Sequence, residues 1–152
     1  MTPYDFKIKR LTSADSALFK ELIRLFITIF EEEASIPDQN YLEELLKKTN
    51  FLAFVVMEDE QVIGGLTAFE LPKYYSKSSE LFIYDIAVKQ EYQRKGLGKM
   101  LLEQTKKYCA EKGMNEIFVA ANEEDQHALD FYHSTGGEAE KVVHFNYTTG
   151  KR

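Results

Sequence analysis

Gln93-Arg94-Lys95-Gly96-Leu97-Gly98 follows the apolar run Leu81-Phe82-Ile83-Tyr84-Asp85-Ile86-Ala87-Val88 and opens an amphipathic stretch at Lys99. A glycine-bearing turn at the start of a helix presents unpaired backbone N–H groups and the positive end of the helix dipole, a combination suited to an anion. Arg94, Lys95 and Lys99 add mobile positive charge, and Gly96 and Gly98 have no Cβ to hold ligand oxygens away from the backbone. The chemistry is that of a pyrophosphate cradle. It is not a dinucleotide loop of the G-x-G-x-x-G type, because Leu101 stands where the third glycine is needed, and no G-x-x-x-x-G-K-[ST] pattern occurs.

Asp85 interrupts seven apolar neighbours in what reads as a central strand. A buried carboxylate is costly unless it is paired, so this side chain calls for a cation or a hydrogen-bonding loop. In an unbulged strand Asp85 shares a face with Leu81, Ile83 and Ala87 while Glu80 points the other way; a bulge would change that register. Further acidic residues group at Glu31-Glu32-Glu33, which reads as a solvated helix end, and at Glu123-Glu124-Asp125, just past another predicted strand. His127, His133 and His144 have no ligand spacing, so no metal site is expected, and Cys109 reads as a packed thiol.

These residues need a scaffold. The 152 residues suffice for one domain spanning 1–152, with a core that needs no disulfide or metal. The 44% hydrophobic and 29% charged shares are those of a soluble globular chain, and the longest wholly apolar run, Phe51 to Met57, is too short for a membrane span. A net charge of −6 argues against general nucleic-acid binding and for a cationic partner. The start, Met1 to Asp5, lacks the features of a secretory signal, and the lone Cys109 agrees with a reducing cytoplasm, the expected location.

Alternation predicts a first strand over Tyr4–Arg10. Ser13 would cap a helix ending near Glu33, and a shorter helix over Tyr41–Lys48 follows. Phe51–Met57 and Gln61–Leu71 read as a hairpin, with Gly64-Gly65 suggesting a bulge. A strand at 80–88 leads through the signature loop into a helix to Lys112, stopped at Gly113. A strand over Glu116–Ala121, a helix over Gln126–Thr135 capped by Asp125, and a last strand over Val142–Tyr147 complete the chain.

The pattern Q-x-x-G-x-G resembles the acetyl-CoA signature of the GCN5-related N-acetyltransferases. Ala128-Leu129-Asp130-Phe131-Tyr132-His133-Ser134-Thr135-Gly136 is similar to that family's second segment, A-x-x-F-Y-x-x-x-G. The order of elements agrees over nearly the whole chain. Leu71-Pro72-Lys73, Ile83 to Val88 and Val143-His144-Phe145 resemble the aminoglycoside 3-N-acetyltransferase (gentamicin acetyltransferase) branch. The resemblance implies an α/β (α+β) fold with a mixed, strongly twisted sheet of six to seven strands flanked by about four helices.

It also implies roles. The backbone of Ile86, Ala87 and Val88 would pair with the pantetheine arm of acetyl-CoA as a further strand would, and Gln93, Arg94, Lys95, Gly96, Leu97, Gly98 and Lys99 would hold the pyrophosphate. Tyr132 would protonate the departing thiolate, the Val88 N–H would face the carbonyl oxygen, and Asp85 would orient the ammonium and relay its proton. Glu80, Tyr84, Asp85, Glu123, Glu124 and Asp125 would receive the acceptor. Asn122 and Asn146 stand where the antibiotic-modifying relatives carry carboxylates, and Glu123 replaces an aromatic residue.

The expected activity is transfer of acetyl from acetyl-CoA, the sole cosubstrate, to a primary amine of a small polycation by direct attack in a ternary complex. An aminoglycoside 3-amino group is the leading acceptor. The alternatives are a polyamine, a small metabolite or a protein or peptide amine, and a non-catalytic acyl-CoA sensor. No nucleic-acid or membrane partner is expected; the family often forms homodimers, sometimes through its last strands.

Overall fold

The computed structural model describes residues 5–150. Contacts divide the chain into two compact units, one ending at Ala120 and the other beginning at Ala121, and each is taken by itself.

The first unit is a five-stranded sheet with three helices. β1 (Phe6–Arg10), β2 (Phe51–Glu58), β3 (Gln61–Pro72) and β4 (Ser79–Val88) lie side by side in chain order, each antiparallel to the next. β5 (Ile117–Val119) then pairs parallel with β4, so the sheet is mixed. The β2–β3 register slips between Val56 and Met57, which leaves Ile63 as the extra residue beside Gly64 and locates the bulge suggested by the glycine pair.

One sheet face packs on α3 (Leu97–Glu111), which contributes Leu97, Leu101, Leu102 and Cys109 to a cluster with Leu66, Ala68, Leu81 and Ile83. The other face packs on α1 (Ser16–Ile29) and α2 (Gln39–Lys47) through Phe19, Leu22, Leu25, Phe26 and Leu42, against Phe51, Ala53 and Val55. The spacing of the α1 residues forms an apolar stripe on one side of the helix. Gly65 is required where α1 crosses β3, because a Cβ there would collide with Leu22 and with the Phe54 carbonyl.

Two expectations change here, and one falls outside what the structure describes. Thr12, not Ser13, begins the first helical segment: its hydroxyl accepts the Ala14 N–H at 3.3 Å while Asp15 Oδ2 accepts the Thr12 N–H at 2.8 Å, a reciprocal capping pair. α1 stops at Ile29 rather than near Glu33, and Glu31 turns the chain with a positive φ of 54°. Tyr4 lies outside the described residues.

The second unit holds α4 (Gln126–Ser134), whose first turn is closed by Asp125: its Oδ1 accepts the Ala128 N–H at 3.1 Å. Gly136, at φ 93°, ends the helix as expected. The strand expected over Val142–Tyr147 is absent, and residues 138–150 carry neither helix nor strand. The described sheet therefore has five strands, not six or seven. Among the described residues α4 is the one regular element of this unit, and the segment 142–147 has no strand partner there.

Candidate active site

β4 leads into the candidate anion site. After Val88 the chain makes a 3-10 turn, Gln90–Tyr92, and Tyr92 pins it to the sheet: its hydroxyl donates to Glu58 Oε1 at 2.9 Å and its ring meets Phe6 edge-on at 6.2 Å. Arg94 (φ 63°) and Gly96 (φ 80°) both adopt the left-handed conformation, which turns the chain into α3 within three residues. Gly96 is the N-cap and supplies no side-chain acceptor, so the first-turn N–H groups of α3 remain for a ligand. Arg94, Lys95 and Lys99 are exposed around this helix end.

Two members of the predicted loop serve structure rather than direct side-chain contact. Gln93 Nε2 donates to the Val88 carbonyl at 3.0 Å, tying the loop to the end of β4. Leu97 is buried in the α3 cluster, which leaves its backbone N–H as the part able to meet an anion.

β4 is paired on both sides only along its first half. β5 matches Leu81, Phe82 and Ile83 with Ile117, Phe118 and Val119, and the parallel ladder stops there. From Tyr84 to Val88, β4 pairs only with β3 among the described residues, through Leu66–Ile86, Gly65–Ala87 and Gly64–Val88. Ile86, Ala87 and Val88 therefore present an open strand edge that runs toward the loop, as an extended ligand would require. Gly64 lets β3 lie close beneath them: a Cβ there would stand 2.8 Å from the Ala87 carbonyl oxygen.

The β3–β4 register slips at the centre of β4. Ala68 pairs with Ile83 but Thr67 pairs with Asp85, leaving Tyr84 as the extra residue of a bulge. Alternation consequently restarts. Asp85 lies on the α1 side with Ala87 and Phe82, while Ile83 and Leu81 belong to the α3 cluster. Of the two registers left open by the sequence, the bulged one holds, and Asp85 does not share a face with Leu81 and Ile83. Burial, followed by the negative charge of Glu32, pushes the Asp85 carboxyl up to about 6.

The bulge also returns Glu80 to the face of Asp85, but the two stand five residues apart along β4, roughly 15 Å. Glu80 lies instead in the field of Lys73, whose ammonium binds Glu116 Oε1 at 2.6 Å. The acidic neighbour that Asp85 does have, Glu32, was read in sequence as part of a solvated helix end. Glu32 is indeed exposed past the end of α1, where the left-handed turn at Glu31 and the hydrogen bond from the Glu32 N–H to the Ile27 carbonyl, 3.0 Å, fix its backbone. Nothing in the residue types announces that turn.

Tyr132, Glu123, Glu124 and Asp125 belong to the second unit. Tyr132 is half-buried on α4 with its ring edge-on to Phe131 at 5.4 Å, and its carbonyl accepts the Gly137 N–H at 2.8 Å. Glu123 and Glu124 are exposed, and the Asp125 carboxylate is engaged as the helix cap. Among the described residues no group of three or more metal-ligating side chains occurs and no helix is long and apolar enough to cross a membrane.

An open central strand edge, an uncapped helix N-terminus behind a left-handed turn and a carboxylate in a mid-strand bulge are therefore assembled in the first unit. The sequence profile of the acetyltransferase (GNAT) family matches residues 19–136. Comparison with curated proteins gave no match. Among solved structures, the aminoglycoside acetyltransferase meta-AAC0020 from an uncultured soil metagenomic sample, in complex with trehalose, is 44% identical and aligns over 97% of this chain and 99% of its own, with a TM-score of 0.94. The same enzyme in complex with sisomicin aligns over 97% and 98% with a TM-score of 0.93 and 44% identity. A second aminoglycoside acetyltransferase from such a sample, HMB0005, is 31% identical over 95% of this chain and 99% of its own, TM-score 0.91. The protein belongs to the acetyltransferase (GNAT) family and is an N-acetyltransferase.

Proposed function

We propose that the protein, acting as a single catalytic domain, transfers acetyl from acetyl-CoA to a primary amine of an aminoglycoside, with the 3-amino group as the acceptor position. The observation that carries the reading is Asp85: a carboxylate held in the bulge of β4, one residue before the open edge at Ile86–Val88. An amine bound there stands beside the strand that an acyl-pantetheine arm would extend. Two solved enzymes of high similarity bear the name aminoglycoside acetyltransferase, one of them in complex with sisomicin, which supports this acceptor class.

The residues fit acetyl-CoA. The uncapped α3 terminus with Arg94, Lys95 and Lys99 suits its phosphates, and the edge of Ile86, Ala87 and Val88 suits its amide-bearing arm. Acetyl-CoA supplies an activated thioester. Asp85 holds the substrate ammonium and takes its proton, directly or through water, and a carboxyl near 6 is basic enough to do so at neutral pH. The freed amine lone pair forms the new C–N bond as the C–S bond breaks. Tyr132 supplies the proton that the leaving thiolate needs, the second proton shed by the acetylated nitrogen passes through water to restore the Tyr132 phenol, and the Val88 N–H faces the developing oxyanion.

The test is thiol release by purified protein with acetyl-CoA and sisomicin, gentamicin or fortimicin, with the acetylated nitrogen located by NMR. Acetylation elsewhere than the 3-amino group would overturn the position. Turnover of spermidine or of peptides instead would overturn the acceptor class. Tight acetyl-CoA binding with no turnover of any amine would point to a sensor.

A further inference from the structure

Glu58 closes β2 and carries the one buried side-chain oxygen, Oε2, that has no hydrogen-bond partner among the described residues. It lies opposite Phe6 in the β1–β2 ladder, and cross-strand partners share a face, so its carboxylate stands on the α3 side with the Phe6 and Tyr92 rings. Its other oxygen, Oε1, accepts the Tyr92 hydroxyl at 2.9 Å. That bond is the first cause of a Tyr92 phenol pKa raised above its ordinary value, so the phenol keeps its proton and remains the donor at neutral pH.

Such a pair is a poor device for stability. A half-buried carboxylate that accepts from a single neutral hydroxyl, with its second oxygen unpaired, regains little of its desolvation cost, and apolar residues of similar shape in both places would serve the core as well. What the pair supplies is position. β2 is paired on both sides, and Phe6 and Gln61 oppose Glu58 in the two ladders, so the anchor stands on a rigid element. The loop it holds has less support of its own. Between Lys89, whose N–H donates to the Ile63 carbonyl at 2.8 Å, and the buried Leu97, the chain has one 3-10 turn and two left-handed residues, Arg94 and Gly96. Gln93 ties this loop to its own strand through the Val88 carbonyl, and Tyr92 ties it to β2.

We propose that Glu58, acting through Tyr92, is a positioning residue for the phosphate site: it holds the loop so that the first-turn N–H groups of α3 and the Arg94 and Lys95 side chains meet the pyrophosphate of acetyl-CoA. The proposal rests on the reading of this loop as the acetyl-CoA phosphate site. It places a determinant of cofactor affinity on β2, outside the strand, loop and helix that form the site.

Calorimetric titration with CoA tests it, on wild type, E58M, Y92F, E58M/Y92F and E58Q, with thermal denaturation of each. E58M, Y92F and the double variant are each expected to bind CoA about fivefold to tenfold more weakly than wild type, the double no more weakly than the singles, because all three lose the same bond. E58Q keeps an oxygen that accepts the phenol and should bind within about twofold of wild type. The double variant leaves no carboxylate unpaired and should melt no lower than wild type, so its weaker binding is not a loss of fold. Thiol release from S-acetylpantetheine, which has the arm without the pyrophosphate, should be alike in all five proteins. Undiminished CoA binding by the double variant, or E58Q as weak as E58M, would overturn the positioning role. So would a double variant that melts lower and loses S-acetylpantetheine turnover in step with CoA affinity, since the pair would then be structural. Wild type that binds CoA but acetylates no amine would leave the anchor standing and remove acetyl transfer, and wild type that binds no CoA would overturn both.

Discussion

Asp85 pairs across the sheet with Thr67, one residue out of the register set by Ile83 and Ala68, and that slip decides which side of the sheet its carboxylate occupies. Without it the side chain would enter the α3 cluster, among Leu66, Leu81 and Leu101, where an ionised carboxylate has no partner. With it, the carboxylate stands on the α1 side with Ala87.

Asp85→Asn should therefore affect activity and stability in opposite directions. Loss of the charge that holds the ammonium is expected to lower kcat/KM for a polycationic acceptor by about a hundredfold. Steady-state kinetics across pH check this. The wild-type kcat/KM should fall as pH drops through about 6, and the variant should lose that limb.

The stability effect has a definite sign. Asp85 is raised from 3.8 to about 6, so the folded state holds its proton more tightly than the unfolded chain does. The cost of ionising it in the fold is absent below about 4 and complete above about 6, and wild-type stability falls as pH rises through that window. Thermal denaturation should find Asp85→Asn more stable than wild type at pH 7 and nearly equal to it near pH 4.

Gly64→Ala tests the open edge. The new Cβ would meet the Ala87 carbonyl and the Val88 Cα, both backbone atoms that cannot move aside without displacing β4. The expected result is a loss of about 1–3 kcal/mol in denaturant unfolding. The Michaelis constant for acetyl-CoA should rise more than that for the amine.

Arg94→Gly separates charge from strain in the loop. Arg94 adopts φ 63°, a conformation glycine takes without penalty, so the variant should be as stable as wild type or slightly more so. If Arg94 screens phosphate charge, acetyl-CoA binding should nevertheless weaken severalfold and become less sensitive to salt. Isothermal titration at two ionic strengths reads both effects.

Tyr132→Phe removes one hydroxyl from α4. As the proton donor to the leaving thiolate, its loss should lower kcat by about tenfold to a hundredfold while leaving acetyl-CoA affinity nearly unchanged. A variant with wild-type kcat would release Tyr132 from that role.

Local chemistry made part of this legible in sequence. The strand–loop–helix from Leu81 to Glu111, the Asp125 cap and the two hairpin arms rest on alternation, glycine placement and capping residues, all of which act over a few positions. The bulge at Tyr84 is different, because the residue inserted is set by pairing with β3 and no period within β4 reveals it. Glu31, Glu32 and Glu33 are exposed past the end of α1, as a solvated helix end requires, but the effect of the Glu32 charge on Asp85 links residues far apart in sequence and no local pattern reveals it. The alternation of Val142 to Tyr147 was legible too, but a strand needs an edge to pair with.

The most direct test of the acetyl-transfer account is CoA release by the purified protein given acetyl-CoA and sisomicin at pH 7.5, with Asp85→Asn alongside. The account predicts steady turnover by wild type and a loss of about a hundredfold in kcat/KM for the variant. Absence of thiol release from wild type, or equal turnover by the two proteins, would contradict it.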